Sequence, residues 1–586
     1  MPRWQLGLLV VAVACIVRTG AWMELRDSAL LYLDRWQDSE MHFVDEWARA
    51  VADGDLLLRT PLAPPDTGFL CTPRSGIEPA SARCADPANA AALRRWTNTP
   101  AFWQAPLYPY LVATVYHFAG ADPRIVFALQ SLLGVITCWF VFLIAARLYG
   151  DLAGMWAGII AALLGTGVYY EMLLTEGTCS ALAALVTVDA LLRTLDARRP
   201  VVAGVWAGIA GMTTIALSAV TMLPVVASFA AAVALRAARR RARTGRMIVG
   251  LLYGVALMAA PLVARNVEVG APPLSIAART PVDFVMGNAL GATATARVRP
   301  NATTTTIFAR AGEDLDPRAD LSGLVATTIA THPGDTDWLW LVAGKFAAFW
   351  RWFELPADAN YYYFIEHVPV LSRFLLAWSV MAGLAALGLA SAVAKRTPAL
   401  LLAVWMIATA AACALLFNLS LLRFPAVLVA TLLAGNGVAT LIDLERQRRY
   451  VPALLSLAFV IGIDCAVLAP WQVPFGRIRP EYFDIVNDLA VDLAAERQEA
   501  GQTERALATV SEQLRTQPRA LVSVEPGAEL ALDPWVAANA RSFAAVYASV
   551  AHYAGLLGYD ARAREASQHA EQLGAVVEQW RTWPGS

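Results

Sequence analysis

Charge is scarce in this sequence. Of its 586 residues 16% are Asp, Glu, Lys or Arg, against about 25% in an average soluble domain. Lysine is almost missing, present only as Lys345 and Lys395, so basic charge is nearly all arginine, and no function is read from that bias. With 58% hydrophobic residues and a mean hydropathy of +0.50, the deficit excludes an ordinary soluble enzyme. The 19 Trp, 21 Phe and 16 Tyr exclude a disordered chain, which would lack so much buriable surface. Metal-ligand spacing is missing too: the seven cysteines form neither a CxxC nor a Cys/His pattern. Cys15, Cys138, Cys179, Cys413 and Cys465 lie in or beside apolar runs and read as small hydrophobes. Cys71 and Cys84 share a polar loop, and in an oxidising compartment they are natural disulfide partners. A polytopic, all-α membrane helix bundle is what remains.

A spanning helix needs roughly 20 mostly apolar residues. Eleven runs qualify: Leu6–Trp22, Arg124–Leu148, Leu152–Leu174, Thr178–Leu195, Val201–Val220, Met222–Leu235, Met247–Val263, Leu371–Val393, Leu400–Leu416, Leu421–Ile442 and Val451–Ala469. The first has no small-residue cleavage site after it and is expected to stay as a span rather than leave as a signal peptide. With the N-terminus inside, the alternate connections at 147–151, 193–199, 236–246, 395–396 and 445–449 all carry Arg or Lys. The connection from Arg236 to Arg246 holds six arginines and no acid, which the positive-inside rule assigns to the cytoplasm rather than to nucleic acid. Leu107 to Gly120 is apolar but short and contains Pro109; counted as a span it would flip every later helix. It is therefore expected to lie at the interface.

This topology puts 24–123, 266–370 and the tail from 471 on the outer face of the cell membrane. The first outer loop holds nine acids against three arginines between Glu24 and Asp55, and Phe43, Val44, Trp47 and Val51 form one apolar stripe expected to rest on the membrane. Asp38 and Glu40, just before it, are then held at the water–lipid boundary, with His42 beside them. Glu171 and Glu176 close the third span in GVYYEMLLTEG, and acids at such depth need a partner or a wet cavity. Arg265 and Arg423 stand at outer helix ends, where a planar fork suits a lipid phosphate. From 471 to 586 the composition turns to short helical segments rich in Ala, Glu and Arg. There Leu493, Gly501, Ala506 and Pro518, then Gly558, Ala563 and Ala570, fall at offsets of a tetratricopeptide-like array. The two matches stand 57 rather than 34 residues apart, so a plain helical cap is the alternative; true repeats would offer a surface for a protein partner.

Several segments together resemble a known family. QAPLYPYLVATVYHFAG after the acidic loop, GVYYEMLLTEG, RNVEVGAPPLS with FVMGN, and LLRFP opening a late span are similar to bacterial GT-C glycosyltransferases of the protein O-mannosyltransferase and lipid A aminoarabinose transferase branch. The resemblance covers roughly Trp4 to Ala469 and leaves out the tail. It implies transfer of a sugar from a polyprenyl-phosphate carrier to a hydroxyl of a protein, lipid or polysaccharide on the outer face. It makes Asp38 in DSEMH the general base, with Glu40 beside it, and Glu176 in LLTE the second acid. No metal and no cofactor beyond the lipid-linked donor is implied. The aminoarabinose transferases carry a Lys before the Pro of the interface helix; here Gln104-Ala105-Pro106 stands, so Gln104 joins Glu171 and His42 as a substrate-binding candidate and phosphate binding shifts to Arg265 and Arg423. A transporter or flippase of lipid-linked glycans is the alternative, which would want charge near the bilayer midplane; Asp189 and Asp464 are the main deeper acids.

Overall fold

Among the described residues eight helices are long and apolar enough to cross a bilayer: Arg3–Leu25, Pro123–Tyr149, Gly177–Thr194, Pro200–Leu217, Ala219–Arg239, Thr244–Glu268, Ser420–Arg446 and Tyr450–Leu468. Shorter apolar helices occupy Asp151–Leu163, Trp378–Ala394 and Leu400–Leu415. Together they stand where the eleven apolar runs were read. The computed structural model describes residues 2–37, 39–60, 62, 99–240, 243–296, 321–334, 336–395, 397–469, 480–518, 521 and 534–581. Among these the fold is an all-α helix bundle, and the one β pairing is an isolated bridge between Leu164 and Leu376.

Contacts divide the chain into two compact units, one of Met1–Val17, Phe43–Ala357 and Leu375–Pro474, the other of Arg18–His42, Asp358–Phe374 and Phe475–Ser586. In the first unit, arginines from three of the basic connections lie close to one another and to Arg3. Arg3 pairs with Asp151 at 3.5 Å, Asp189 takes both Arg147 and Arg193, and Arg239 reaches Asp196 at 3.7 Å. Arg236 is fully buried and donates to the carbonyls of Thr194 and Ala197, capping the last turn of Gly177–Thr194. Part of that basic connection is therefore helix-capping charge.

Helices Pro200–Leu217 and Thr244–Glu268 pack with their backbones in contact. A Cβ on Gly208 would lie 2.2 Å from the Leu251 carbonyl, and one on Gly254 would lie 2.2 Å from the Val205 carbonyl. Lipid offers no hydrophobic drive between two apolar helices, so close approach through small residues supplies the attraction.

Two expectations are corrected here. The run from Leu371 does not enter a helix until Trp378, because a short 3-10 turn at Leu371–Arg373 and extended backbone at Leu376 come first. The apolar stripe of the first loop faces protein rather than membrane: Phe43, Val44, Trp47 and Val51 are all buried, and the Trp47 ring lies 5.1 Å from Phe102 and 6.4 Å from Tyr110. Tyr110 belongs to helix Leu107–Ala119, whose 13 residues span only about 20 Å at 1.5 Å per residue. That is too short to cross, as the interface reading required. Asp45 fastens the two helices, accepting from the Tyr116 hydroxyl at 2.5 Å and from Arg49 at 2.7 Å.

The tail is built of helix hairpins, Pro480–Glu499 with Thr503–Gln513 and Pro534–Leu556 with Asp560–Arg581. Both turn on a glycine of positive φ, Gly501 at +74° and Gly558 at +77°. In each the amide after the glycine reaches back five residues, Gln502 to Arg497 and Tyr559 to Ala554, both at 2.8 Å. Such a left-handed C-cap is nearly free for glycine and strained for other residues. Ala494, Ala506, Val510, Val546 and Tyr553 fill the space between the hairpins.

Candidate active site

The expected third span is broken. Helix Asp151–Leu163 stops at Leu164, whose φ of −66° and ψ of 113° are extended. A stop there frees backbone groups that cost several kcal/mol each if left facing hydrocarbon. They are satisfied by protein: the Leu376 amide donates to Leu163 O at 2.7 Å, and the Gly165 amide to Leu376 O at 2.9 Å. The short helix Gly165–Glu171 follows, then a turn, then helix Gly177–Thr194. Glu171 and Glu176 thus flank irregular backbone rather than riding one continuous helix.

Glu171 is buried, and its carboxylate occupies the space of a missing side chain: a Cβ on Gly134 would lie 1.9 Å from Oε1. Gln130, one turn away on the same helix, donates through Nε2 to the carbonyls of Glu171 and Leu173 at 3.1 and 2.8 Å. Its Oε1 accepts from the Tyr108 hydroxyl at 2.8 Å, tying the interface helix to the break. Burial pushes the Tyr108 phenol up, with Cys179 and Glu176 adding, so it stays a neutral donor. Half-buried Glu176 lies within electrostatic reach of Tyr108, Tyr170 and Cys179.

From Tyr170 the polar line continues into the late helices. Tyr170 neighbours Ser420, whose hydroxyl donates to the Glu354 carboxylate. Glu354 in turn pairs with Arg423 at 2.5 Å, both side chains about 5% exposed. Arg423 also donates to the carbonyls of Phe349 and Arg351 at 3.0 and 2.7 Å. Arg265 has a similar use: it donates to Leu57, Leu58 and Pro100 carbonyls at 2.9, 3.2 and 2.7 Å and stacks over Phe102 at 3.7 Å. Both guanidinium forks, read as phosphate ligands, are engaged here by the protein's own carbonyls and, for Arg423, by the Glu354 carboxylate. A phosphate would have to displace them. Gln104 is half-buried on a segment pinned by the amides of Ala278 and Arg279, which donate to Phe102 O and Trp103 O.

The acidic segment belongs to the other unit as far as His42. Asp38 lies outside the described residues, as do Cys71 and Cys84. Glu40 opens helix Glu40–Ala52, and its amide donates to Asp358 Oδ2 at 2.6 Å. The His42 amide donates to Ser39 Oγ at 3.0 Å, and the His42 ring bonds the Asp34 carbonyl through Nδ1 at 2.7 Å. His42 thus closes a turn.

The sequence reading passed over Gln130, Glu354 and Lys345. Gln130 had a signal, as a lone amide inside the apolar run Arg124–Leu148. Lys345 had only rarity: fully buried, it donates to Asn288 Oδ1 and Leu416 O, both at 2.9 Å, and burial pushes it down to about 7. Among the described residues no three His, Cys, Asp or Glu side chains group as metal ligands would. The deeper acids have structural partners, Asp189 the arginines named above and Asp464 the Gly383 amide at 2.7 Å.

Residues 103–264 match the family model of dolichyl-phosphate-mannose-protein mannosyltransferases. The matched stretch contains QAPLYPYLV, the helix break and GVYYEMLLTEG, the same segments that resemble the GT-C superfamily of membrane glycosyltransferases. A search of curated proteins finds no match. Among solved structures, ArnT from Cupriavidus metallidurans bound to undecaprenyl phosphate is 13% identical over 98% of this chain and 75% of its own, with a TM-score of 0.39. The oligosaccharyltransferase AglB from Archaeoglobus fulgidus, in complex with an inhibitory peptide and a dolichol-phosphate, is 13% identical over 78% of this chain and 54% of its own, with a TM-score of 0.36.

Proposed function

We propose that this GT-C-type membrane protein transfers a sugar from a polyprenyl-phosphate carrier to an acceptor hydroxyl on the outer face of the cell membrane. The observation that carries the reading is the helix break at 164–176, where Glu171 and Glu176 are set beside the interface helix inside the stretch that matches the mannosyltransferase family. In this reaction the hydroxyl oxygen bonds to the anomeric carbon, the carbon–oxygen bond to the phosphate breaks, and the electron pair leaves on the carrier phosphate. The hydroxyl proton passes to Asp38, with Glu40 adjacent in the chain; a positioned base contributes about 10²–10⁴-fold. Glu176 serves as the second acid, kept among phenols that hold their protons. Binding of the carrier phosphate at Arg265 or Arg423 exchanges their carbonyl contacts for phosphate oxygens.

Mass spectrometry of polyprenyl-phosphate sugars, with and without the gene, tests this. Loss of the gene is expected to leave one carrier-linked sugar accumulated and one envelope glycan missing. Unchanged pools of both contradict the reading.

The orientation proposed with it has the N-terminus in the cytoplasm and the tail outside, because the buried and paired arginines gather at the end of the bundle that holds Arg3. Reporter fusions at Ala242 and Gly527 are expected to report cytoplasm and periplasm respectively. The same compartment at both sites overturns the topology. In that orientation Cys71 and Cys84 share an oxidising space and pair.

A further inference from the structure

The second unit gathers three stretches far apart in sequence, and one of them, Arg18–His42, carries the first part of the acidic segment. Helix Glu40–Ala52 begins with amides that have no intrahelical acceptor. Ser39 answers for one, taking the His42 amide as an N-cap serine does. The Glu40 amide is answered from 318 residues away by Asp358. A carboxylate at a helix N-terminus gains from the helix dipole as well as from the hydrogen bond.

Asp358 is itself anchored. Two residues on, Asn360 caps helix Tyr361–His367, its Oδ1 accepting from the Tyr362 and Tyr363 amides at 2.8 and 3.2 Å. Tyr363 is buried in the tail, donating to Gln513 Oε1 at 2.7 Å, stacked on His367 at 4.6 Å and set edge-on to Phe483 at 5.8 Å. Other tail residues grip the loop upstream of the acids: Arg35 pairs with Glu496 at 2.7 Å, and Arg497 donates to the Asp27 carbonyl at 3.1 Å. The stretch from Asp27 to Glu40 is thus held at both ends by the tail and by the 358–374 segment docked in it.

We propose that Asp358 is a positioning residue for the first-loop acid Glu40, and that the tail, by holding helix Tyr361–His367, sets where Asp358 sits and so where the chain at Glu40 enters its helix. The assignment of a reaction to that acid rests on the proposed function; the capping itself does not.

The test uses the full-length protein with two independent readings. In hydrogen exchange of the detergent-solubilised protein, Asp358→Ala is expected to speed exchange in the peptide covering residues 36–47 by at least tenfold, while Asp358→Asn, which keeps a capping oxygen, stays near wild type. Gln513→Ala, in the tail, is expected to move the same peptide in the same direction. In gene-deleted cells carrying each variant, Asp358→Ala is expected to cut the envelope glycan at least tenfold and Asp358→Asn to restore most of it. Unchanged exchange in Asp358→Ala overturns the capping. Faster exchange with undiminished glycan overturns the positioning role, as does an Asp358→Asn variant as inactive as Asp358→Ala. If the wild-type gene yields no glycan, the glycosyltransferase reading fails, and the exchange results alone decide the capping and tail linkage.

Discussion

Asp38→Asn is expected to lower turnover by about two or more orders of magnitude while leaving binding of the lipid-linked donor nearly unchanged. The amide keeps the size and much of the hydrogen bonding of the carboxylate and removes only its basicity. A loss confined to turnover therefore marks an interaction made in the transition state. Glu40→Gln is the paired control, because the two acids stand close in the chain. Glu40 nevertheless has a defined place: its amide is the capped first residue of a helix. Inactivity in Glu40→Gln with activity in Asp38→Asn moves the role to Glu40. Wild-type turnover in both, and in Glu176→Gln, means that none of the three acids takes the proton, and transfer by this mechanism is then wrong for this chain. The measurement is rate of product formation against donor concentration in reconstituted membranes, so that turnover and binding are read separately.

What the sequence made legible follows from the range of the physics involved. Hydropathy is a local property, so the eleven apolar runs and the interface helix at Leu107–Ala119 could be read directly. Their ends could not. Whether the chain stops at Leu164 depends on Leu376 arriving to receive its backbone groups, and nothing in the residues around Leu164 announces that partner. The stripe of Phe43, Trp47 and Val51 marked a face that leaves water, but periodicity alone does not say whether lipid or protein covers it; Phe102 and Tyr110 do. Glu171 was legible as an expensive acid, and Gly134, the glycine that makes room for it, was not. Arg265 and Arg423 were legible as charges at helix ends. Most of their acceptors are main-chain carbonyls, which every residue carries and which therefore leave no mark in composition or spacing.

Arg423 and Glu354 form a buried pair whose other partners include Ser420 and the carbonyls of Phe349, Arg351 and Phe353. Removing one member of such a pair leaves an uncompensated charge and typically costs about 3–5 kcal/mol, whereas replacing both with apolar residues of similar volume is often neutral. Arg423→Met alone is thus expected to lower the thermal midpoint of the solubilised protein sharply, and Arg423→Met with Glu354→Met to regain more than half of the loss. Such non-additivity is what direct contact produces. A single Arg423→Met variant with wild-type stability but weakened binding of undecaprenyl phosphate would give the guanidinium to the carrier phosphate instead. If the double variant recovers stability and still binds undecaprenyl phosphate as the wild type does, Arg423 is a structural cation, and Arg265 is the candidate left to meet the charge developing on the departing phosphate. The pair can thus be separated from the reaction because its stability effect is cancelled by a second substitution, while a lost phosphate ligand is not.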